Sequence, residues 1–184
     1  MGPQAQYEDF ELLKSAGQGS EAAFAELYRR RQGGVFRFAL HMTGSEHAAE
    51  EVTQDVFLNL IRGLKKFDAG RGSVEAWLYG IARKCVLRHT AANRLAVPLE
   101  SCDEPAEEPP DLGRTQAIES VRRAVLALPE PFREAVALCD LEELSYDQAA
   151  GAMGVPIGTV RSRLSRGRAL LGEMLRGAAL RCLV

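Results

Sequence analysis

The chain has 184 residues, of which 46% are hydrophobic and 26% charged, and its formal net charge is −2. This size allows one or two small domains with buried cores, and the near-neutral charge argues against a protein that coats nucleic acid indiscriminately. The four cysteines are far apart and make no metal-ligand spacing with the histidines, and no run of 18 apolar residues occurs. We therefore expect a cytoplasmic protein that binds no metal.

The first part of the chain has apolar residues at helical spacing. A short helix is expected near residues 9–16, and Ser20 is the predicted N-cap of a longer helix that ends near Gly44. The pair Gly33–Gly34 lies inside this longer helix. Because each glycine costs about 1 kcal/mol relative to alanine, the pair predicts a kink or an interruption.

Ser45 is the predicted cap of the next helix, whose two faces differ in character. The apolar face contains Ala49, Val52, Val56, Leu60 and Leu64. The opposite face is acidic and rich in amides, with Glu50, Glu51, Gln54, Asp55 and Asn59. Considered alone, this polar stripe is more typical of a solvated helix face than of a binding surface.

A loop with two glycines, residues 67–72, precedes a helix that Ser73 caps. The glycines permit backbone conformations that other residues avoid, and the aromatic side chains of Phe67 and Trp77 belong either to the core or to an exposed surface. The helical spacing between Trp77 and Ile81 favours the core for Trp77.

Residues 96–114 differ from the rest in composition, because prolines and acids replace the apolar residues that build a core. The segment contains Pro98, Glu100, Asp103, Glu104, Pro105, Glu107, Glu108, Pro109, Pro110 and Asp111. This composition predicts an extended, flexible acidic linker. Residues 115–184 are again helical, with one helix to about Leu128, a break at 129–131 and a helix to about Leu141. The predicted fold class is all-α, with two small helical domains, 1–95 and 115–184.

The most specific pattern is a helix-turn-helix in the second domain. Ser145 and Gln148 form a capping box, Gly154 ends the short first helix, and Pro156 begins the second. The buried face of the second helix is predicted to hold Ile157, Val160, Leu164 and Leu171. Its other faces hold Arg161, Ser162, Arg163, Ser165, Arg166 and Arg168.

An amphipathic surface helix with a solvated charged face would also show such arginines. The agreement of cap, turn and basic helix favours duplex DNA binding instead. Base edges would be contacted by Arg161, Ser162, Ser165 and Arg166, and phosphates by the flanking Arg163 and Arg168.

Together these parts resemble the sigma subunits of bacterial RNA polymerase, specifically the minimal extracytoplasmic-function type. Four blocks carry the resemblance and follow the family order, with the linker between the second and the third. They are residues 49–58 (AEEVTQDVFL), 76–83 (AWLYGIAR), 127–136 (ALPEPFREAV), and 144–150 (LSYDQAA) running into 158–166 (GTVRSRLSR).

The resemblance implies partners for both domains. The first domain would bind the coiled coil of the largest subunit of core RNA polymerase through Glu50, Glu51, Gln54 and Asp55. The second domain would bind the flap region of the polymerase. The helix-turn-helix would read the −35 promoter element. The −10 element, melted with one base flipped out, would be held by Phe67, Asp68, Arg71, Ser73, Arg83, Lys84 and Arg88.

The chain departs from the family pattern in the helix that holds Trp77. Many members have asparagine where this chain has Lys84, which favours a phosphate contact for that residue. The acidic linker resembles the connector that runs through the polymerase's RNA path, where its carboxylates either mimic nucleic-acid charge or serve as a soluble spacer. Members of the type are usually restrained by an anti-sigma factor, often one that is anchored in the membrane.

The main rival function is a stand-alone helix-turn-helix transcriptional regulator whose first domain senses a ligand or dimerises. The polar stripe and the block at residues 76–83 favour the sigma factor, because a simple regulator needs neither. An enzyme is not expected, since no paired acid and base, nucleophile or metal constellation is present. No cofactor and no small-molecule substrate are expected either.

Overall fold

The computed structural model describes residues 3–64, 67–68, 70, 72–95 and 112–181. The helices are α1 (Pro3–Gly17), α2 (Glu21–Thr43), α3 (Glu46–Gly63), α4 (Val74–Leu95), α5 (Leu112–Ala127), α6 (Glu130–Val136), α7 (Tyr146–Met153) and α8 (Ile157–Arg181). No strand occurs among the described residues, and the predicted all-α class with two helical domains is confirmed.

Helix caps lie where the sequence predicts them. The backbone N–H three residues later donates to the side chain of each capping serine, namely Ser20, Ser45, Ser73 and Ser145. Gly44 and Gly154 follow α2 and α7 in the left-handed conformation, with φ of 76° and 65°. These local signals set where α2, α3, α4 and α7 begin and where two of them end.

Some predicted boundaries differ from the observed ones. Helix α1 already begins at Pro3, and α5 begins at Leu112, so residues 112–114 of the predicted linker are helical. The rest of the linker, residues 96–111, lies outside the described residues, as does Arg71. The composition predicts that the linker cannot build a core, but it does not predict the residue at which the next helix begins.

The interruption predicted at Gly33–Gly34 is wrong, because α2 runs as one continuous helix from Glu21 to Thr43. A Cβ atom on Gly34 would lie 2.6 Å from the hydroxyl of Tyr79 and 3.2 Å from a carboxylate oxygen of Glu142. The missing side chain thus makes room for two residues of other elements. A glycine in a helix costs about 1 kcal/mol relative to alanine, but here a larger residue would collide with these two side chains.

The first domain has its core between α2, α3 and α4. The predicted apolar face of α3 is buried at Ala49, Val52, Val56 and Leu60, and it packs with Leu27, Phe38 and Leu78. In the second domain Val160 and Leu164 of α8 are buried as predicted, whereas Ile157 is 39% exposed. Periodicity placed Ile157 on the correct face but gave no information on whether a neighbouring helix covers that turn.

Helix α6 continues into a π-helical segment, Ala137–Leu141, which the sequence did not predict. The N–H of Glu142 donates to the carbonyl of Ala137 at 2.9 Å, five residues back. Glu143 follows with a positive φ of 57°. The wider turn and the left-handed residue redirect the chain between α6 and α7.

The two domains pack against each other. Helix α7 lies along α4, and α5 and α6 lie against α2. The backbones come close at Gly80, where a Cβ atom would lie 3.6 Å from the carbonyl oxygen of Ala152. The buried apolar residues of both domains therefore form one continuous cluster. Of the helices that the structure describes, none is long and apolar enough to cross a membrane.

Candidate nucleic-acid interface

Helices α7 and α8 form the predicted helix-turn-helix. The side-chain oxygen of Gln148 accepts from the backbone N–H of Ser145, and the backbone N–H of Gln148 donates to the Ser145 hydroxyl, which completes the capping box. Gly167 lies where α8 crosses α6, and a Cβ atom there would be 2.8 Å from Val136. Only glycine fits this crossing, so Gly167 sets how closely the basic helix approaches its domain.

The predicted DNA-reading face of α8 is accessible. Arg161, Ser162, Ser165 and Arg166 are all exposed, and Arg163 is partly buried. Within the described part of the chain, Arg166 has no hydrogen-bond or ion-pair partner. Its guanidinium is therefore available for a ligand outside the protein.

Two other arginines of α8 are already engaged. The Nε and one terminal nitrogen of Arg168 donate to the two carboxylate oxygens of Asp140, at 3.0 and 2.6 Å. This ion pair raises the pKa of Arg168 above its usual value. The guanidinium of Arg161 lies over the ring of Tyr146, with its carbon 5.8 Å from the ring centroid. Both contacts hold long, flexible side chains in fixed directions.

The loop before α4 is anchored by aromatic packing. The ring of Phe67 lies 5.2 Å from that of Trp77 and 6.1 Å from that of Phe10, measured between centroids. Phe67 and Trp77 are both partly buried against the core. The carboxylate of Asp68 accepts from the N–H of Gly70 at 2.9 Å, which shapes the turn. Each aromatic ring thus joins the core and also remains partly exposed.

A cavity of about 320 Å³ lies between this loop, α4 and α7. Its lining includes most of the residues predicted for the −10 element, namely Phe67, Asp68, Ser73, Arg83 and Lys84. Residues 151–154 of the helix-turn-helix form another wall. The structure therefore brings these predicted residues together, but it also places the second domain over them.

Arg83 and Arg88 point in different directions. Arg83 forms an ion pair with Glu134, a residue of α6 that is 4% exposed. Burial raises the pKa of the Glu134 carboxyl above its usual value, against the opposing effect of Arg83. Arg88 lies beside α3, 3.4 Å from Asp55, and does not line the cavity.

The polar stripe on α3 is exposed at Glu50, Glu51, Gln54 and Asp55. Glu51 lies 3.0 Å from His89 and 3.5 Å from His47. The stripe continues into two apolar residues that the sequence analysis missed, Leu58 and Ile61, which are 50% and 49% exposed. Their spacing from Gln54 along the helix is the signal that could have revealed them, because residues four apart share a face.

Charged residues inside the apolar C-terminal helices were also missed. The guanidinium of Arg133 donates to the carbonyls of Leu126 (2.5 Å), Leu128 (3.0 Å) and Met42 (2.9 Å). It thereby satisfies backbone acceptors at the end of α5 and links them to α2. The only signal in the sequence is the charged pair Arg133–Glu134 inside an apolar stretch.

The described residues include no group of His, Cys, Asp and Glu side chains that could hold a metal ion. Cys85 and Cys139 are free thiols. Burial raises the pKa of Cys139 to about 11, so this thiol stays protonated at neutral pH.

The sequence matches two family models, one in each domain. Residues 27–95 match Sigma-70 region 2, and residues 118–171 match Sigma-70, region 4. The ECF RNA polymerase sigma factor SigE of Mycolicibacterium smegmatis is 34% identical over 165 residues, which cover 86% of this chain and 63% of that protein. The ECF RNA polymerase sigma factor SigM of Mycobacterium tuberculosis is 34% identical over 175 residues, covering 91% and 84%.

A solved structure has the same fold. It is the sigma factor RpoE in complex with the anti-sigma factor NepR from Bartonella quintana. The TM-score is 0.67 at 27% identity, over 83% of this chain and 96% of that one. The resemblance seen in the sequence is thus confirmed: the chain belongs to the sigma-70 family, as an RNA polymerase sigma factor of the extracytoplasmic-function group.

Proposed function

We propose that this protein is a promoter-specificity factor that binds core RNA polymerase, recognises the −35 and −10 elements and promotes melting of the DNA. The observation that supports this function best is that one chain has two separate surfaces suited to nucleic acid. One is the exposed arginine and serine face of α8, and the other is the cavity beside α4 that Arg83 and Lys84 help to line. A stand-alone regulator would need only the first, and the region 2 match disfavours it.

The −35 element is proposed to lie along α8. A helix fits the major groove of duplex DNA, where side chains reach the base edges. Arg161, Ser162, Ser165 and Arg166 share the exposed surface and are the proposed base contacts. Arg163 and Arg168 flank them as phosphate contacts, and Arg168 retains further N–H groups for a phosphate while it is held by Asp140.

An Arg166→Ala variant is expected to relax base preference at one or two positions of the −35 element. A bidentate arginine–guanine contact gives about 1–3 kcal/mol of discrimination, which predicts roughly a tenfold change at those positions. Binding to a library of −35 duplexes measures this directly. An equal loss of affinity across all sequences would instead assign Arg166 to the DNA backbone.

Tyr146 is proposed to position Arg161 for the same duplex. A Tyr146→Ala variant should weaken −35 binding about twofold to fivefold, because an exposed cation–π contact is worth about 0.5–1 kcal/mol and also restricts the side chain. Tyr146→Phe keeps the ring and should retain the positioning. In a double-mutant cycle with Arg161→Ala, additive losses would show that Tyr146 does not act through Arg161.

The −10 element is proposed to be held as a single strand by the loop before α4 and by α4 itself. Lys84 is exposed at the cavity and is suited to a phosphate, and the partly exposed rings of Phe67 and Trp77, which line it, are suited to bases. Flipping a base costs a few kcal/mol, which binding of the strand must offset. The protein would thus melt DNA by binding and would perform no chemical catalysis of its own.

Core polymerase is proposed to bind the stripe on α3, with the flap region on the second domain. The acidic and amide groups at Glu50, Gln54 and Asp55 supply polar complementarity, and Leu58 and Ile61 supply exposed apolar surface beside them. Interfaces of this kind gain affinity from apolar anchors and specificity from charge. The action is therefore proposed to take place in the cytoplasm, where the polymerase is.

An anti-sigma factor is a further proposed partner. Support comes from the RpoE structure, in which the sigma factor is in complex with the anti-sigma factor NepR. Such a partner would act by covering the polymerase-binding faces, and a membrane-anchored one would also hold the protein at the membrane.

Run-off transcription tests the function as a whole. Core polymerase is incubated with a pool of genomic promoters, with and without the protein, and the start sites are mapped. New start sites that require the protein are the expected result, and their alignment gives the −35 and −10 sequences. Failure to bind core polymerase, combined with specific binding to duplex DNA, would favour the stand-alone regulator.

A further inference from the structure

Ile157 is an apolar residue that stays partly in solvent at the start of the basic helix. It is the first residue of α8, and 39% of it is exposed. The larger apolar side chains further along α8 are buried or partly buried as far as the structure describes them, at Val160, Leu164, Leu170, Leu171, Met174 and Leu175. The chain neighbours of Ile157, Pro156 and Gly158, are themselves exposed. The described part of the protein thus leaves Ile157 available for contact with another molecule.

The first turn of α8 holds Ile157 in a fixed direction. The carbonyl of Pro156 accepts from the N–H groups of Thr159 and Val160, at 2.8 and 3.2 Å, so the helix is formed from its first residue. A β-branched side chain in a helix strongly prefers one χ1 rotamer. Binding of a ligand would therefore cost Ile157 little conformational entropy, because its side chain is already ordered.

Ile157 lies beside the residues that are proposed to contact −35 bases. It precedes Arg161 by four residues, which places the two Cβ atoms about 5–6 Å apart on one side of the helix. A Cβ atom on Gly158 would meet no atom within 4 Å, so a base edge has room beside the first turn. In helix-turn-helix proteins the N-terminal residues of the second helix contact base edges in the major groove. Ile157 is therefore placed to meet a base close to the one that Arg161 contacts.

Thymine is the base that an apolar side chain recognises best in the major groove. Every base presents hydrogen-bonding groups there, but thymine adds a C5-methyl group. An isoleucine that packs against this methyl group removes apolar surface of both partners from water. Against another base the same side chain would cover polar groups without forming hydrogen bonds to them, which is unfavourable. An isoleucine at this position thus favours thymine over the other bases.

We propose that Ile157 determines specificity in the −35 interface by packing against the C5-methyl group of a thymine. This inference rests on the proposed function, since it concerns the same DNA-reading face of α8. It adds an apolar contact to the polar contacts proposed for the arginine and serine residues of that face. Because neighbouring base pairs are about 3.4 Å apart along the duplex, the thymine should lie within about two base pairs of the base that Arg161 contacts.

Removal of a single methyl group from the DNA tests the contact. The −35 sequence that the full chain prefers is first selected from a library of duplexes. Each thymine of that sequence is then replaced, one at a time, by deoxyuridine, which lacks the C5-methyl group but keeps every hydrogen-bonding group. At one position the wild-type protein is expected to bind the deoxyuridine duplex about fourfold more weakly, since one buried methyl group is lost. Ile157→Ala should bind the thymine and deoxyuridine duplexes of that pair equally.

Two variants provide the controls. Ile118→Ala removes the same atoms from an isoleucine of α5 that is 50% exposed, and it should keep the full difference between the two duplexes. Ile157→Val keeps the β-branch and should retain most of the difference. Arg161→Ala is expected to relax base preference within about two base pairs of the sensitive thymine, as the spacing on the helix requires. Thermal unfolding verifies that each variant is folded.

Three results would overturn the proposal. One is a preferred sequence in which no deoxyuridine substitution changes the affinity. Another is a difference that persists unchanged in Ile157→Ala, even if this variant binds all duplexes more weakly, because Ile157 would then only support the helix. The third is a wild-type protein without any sequence preference, which would also contradict the proposed −35 recognition. The first two results, obtained with a protein that still prefers one sequence, contradict the role of Ile157 alone.

Discussion

An Arg133→Met variant is expected to lose about 3 kcal/mol of its free energy of unfolding, since each hydrogen bond to a charged group is worth about 1.5–3 kcal/mol. The guanidinium of Arg133 serves three backbone carbonyls, of which two lie at the end of α5 and one near the end of α2. Methionine fills much of the same volume but donates no hydrogen bond. The three carbonyls would lose their charged donor in a partly buried place, and urea unfolding followed by circular dichroism measures the cost.

The burial of Arg133 sets the size of this effect. Desolvation lowers the pKa of its guanidinium, and no carboxylate forms an ion pair with it among the described residues. Its role is therefore to donate hydrogen bonds in a fork that lysine cannot reproduce, so Arg133→Lys should recover only part of the loss. Arg123→Met, on an exposed face of α5, is the matched control and should change stability by less than about 0.5 kcal/mol. Equal stabilities of Arg133→Met and Arg123→Met would contradict this role.

A Glu50→Arg/Leu58→Arg variant is expected to lower the affinity for core polymerase by about 100-fold or more, or roughly 3 kcal/mol. Both positions lie on the exposed stripe of α3, where Leu58 is half exposed. The change reverses a charge and removes an apolar anchor on the surface proposed to contact the polymerase. Because both side chains face solvent, the fold should be preserved, which thermal unfolding verifies.

The measurement is a titration of labelled core polymerase, with run-off transcription as a second readout. Glu119→Arg makes the same charge reversal on an exposed face of the other domain and should bind core polymerase nearly as well as the wild type. If Glu50→Arg/Leu58→Arg also binds as the wild type does, the α3 stripe is only a solvated face. That was the interpretation that its composition alone favoured.

Features that depend on residues close in sequence could be predicted. The four serine caps, the end of α7 at Gly154 and the buried faces of α3 and α8 follow from hydrogen bonds and periodicity within one or two helical turns. The exposed arginines of α8 are predictable for the same reason. The exposure of Ile157 could not be predicted in this way, because a residue on the apolar face of a helix is buried only if another element covers it.

Much of the candidate −10 site depended instead on the tertiary structure. Arg83 meets Glu134 across 51 residues of sequence, and Arg37 meets Glu142 across 105. No local pattern specifies such pairs, because they form only when whole helices with complementary faces come together. Gly34 illustrates the difference. The glycine pair predicted a kink or an interruption in α2, whereas in the fold the missing side chain of Gly34 leaves room for Tyr79 and Glu142.

The sequence by itself thus determined the helices, the helix-turn-helix and the family, because these depend on caps, periodicity and motif order along the chain. Only the tertiary structure decided that the two domains share one core and that the second lies over the surface proposed for the −10 element. The physical reason is that burial, close approach and ion pairing between distant residues depend on how complete surfaces fit together.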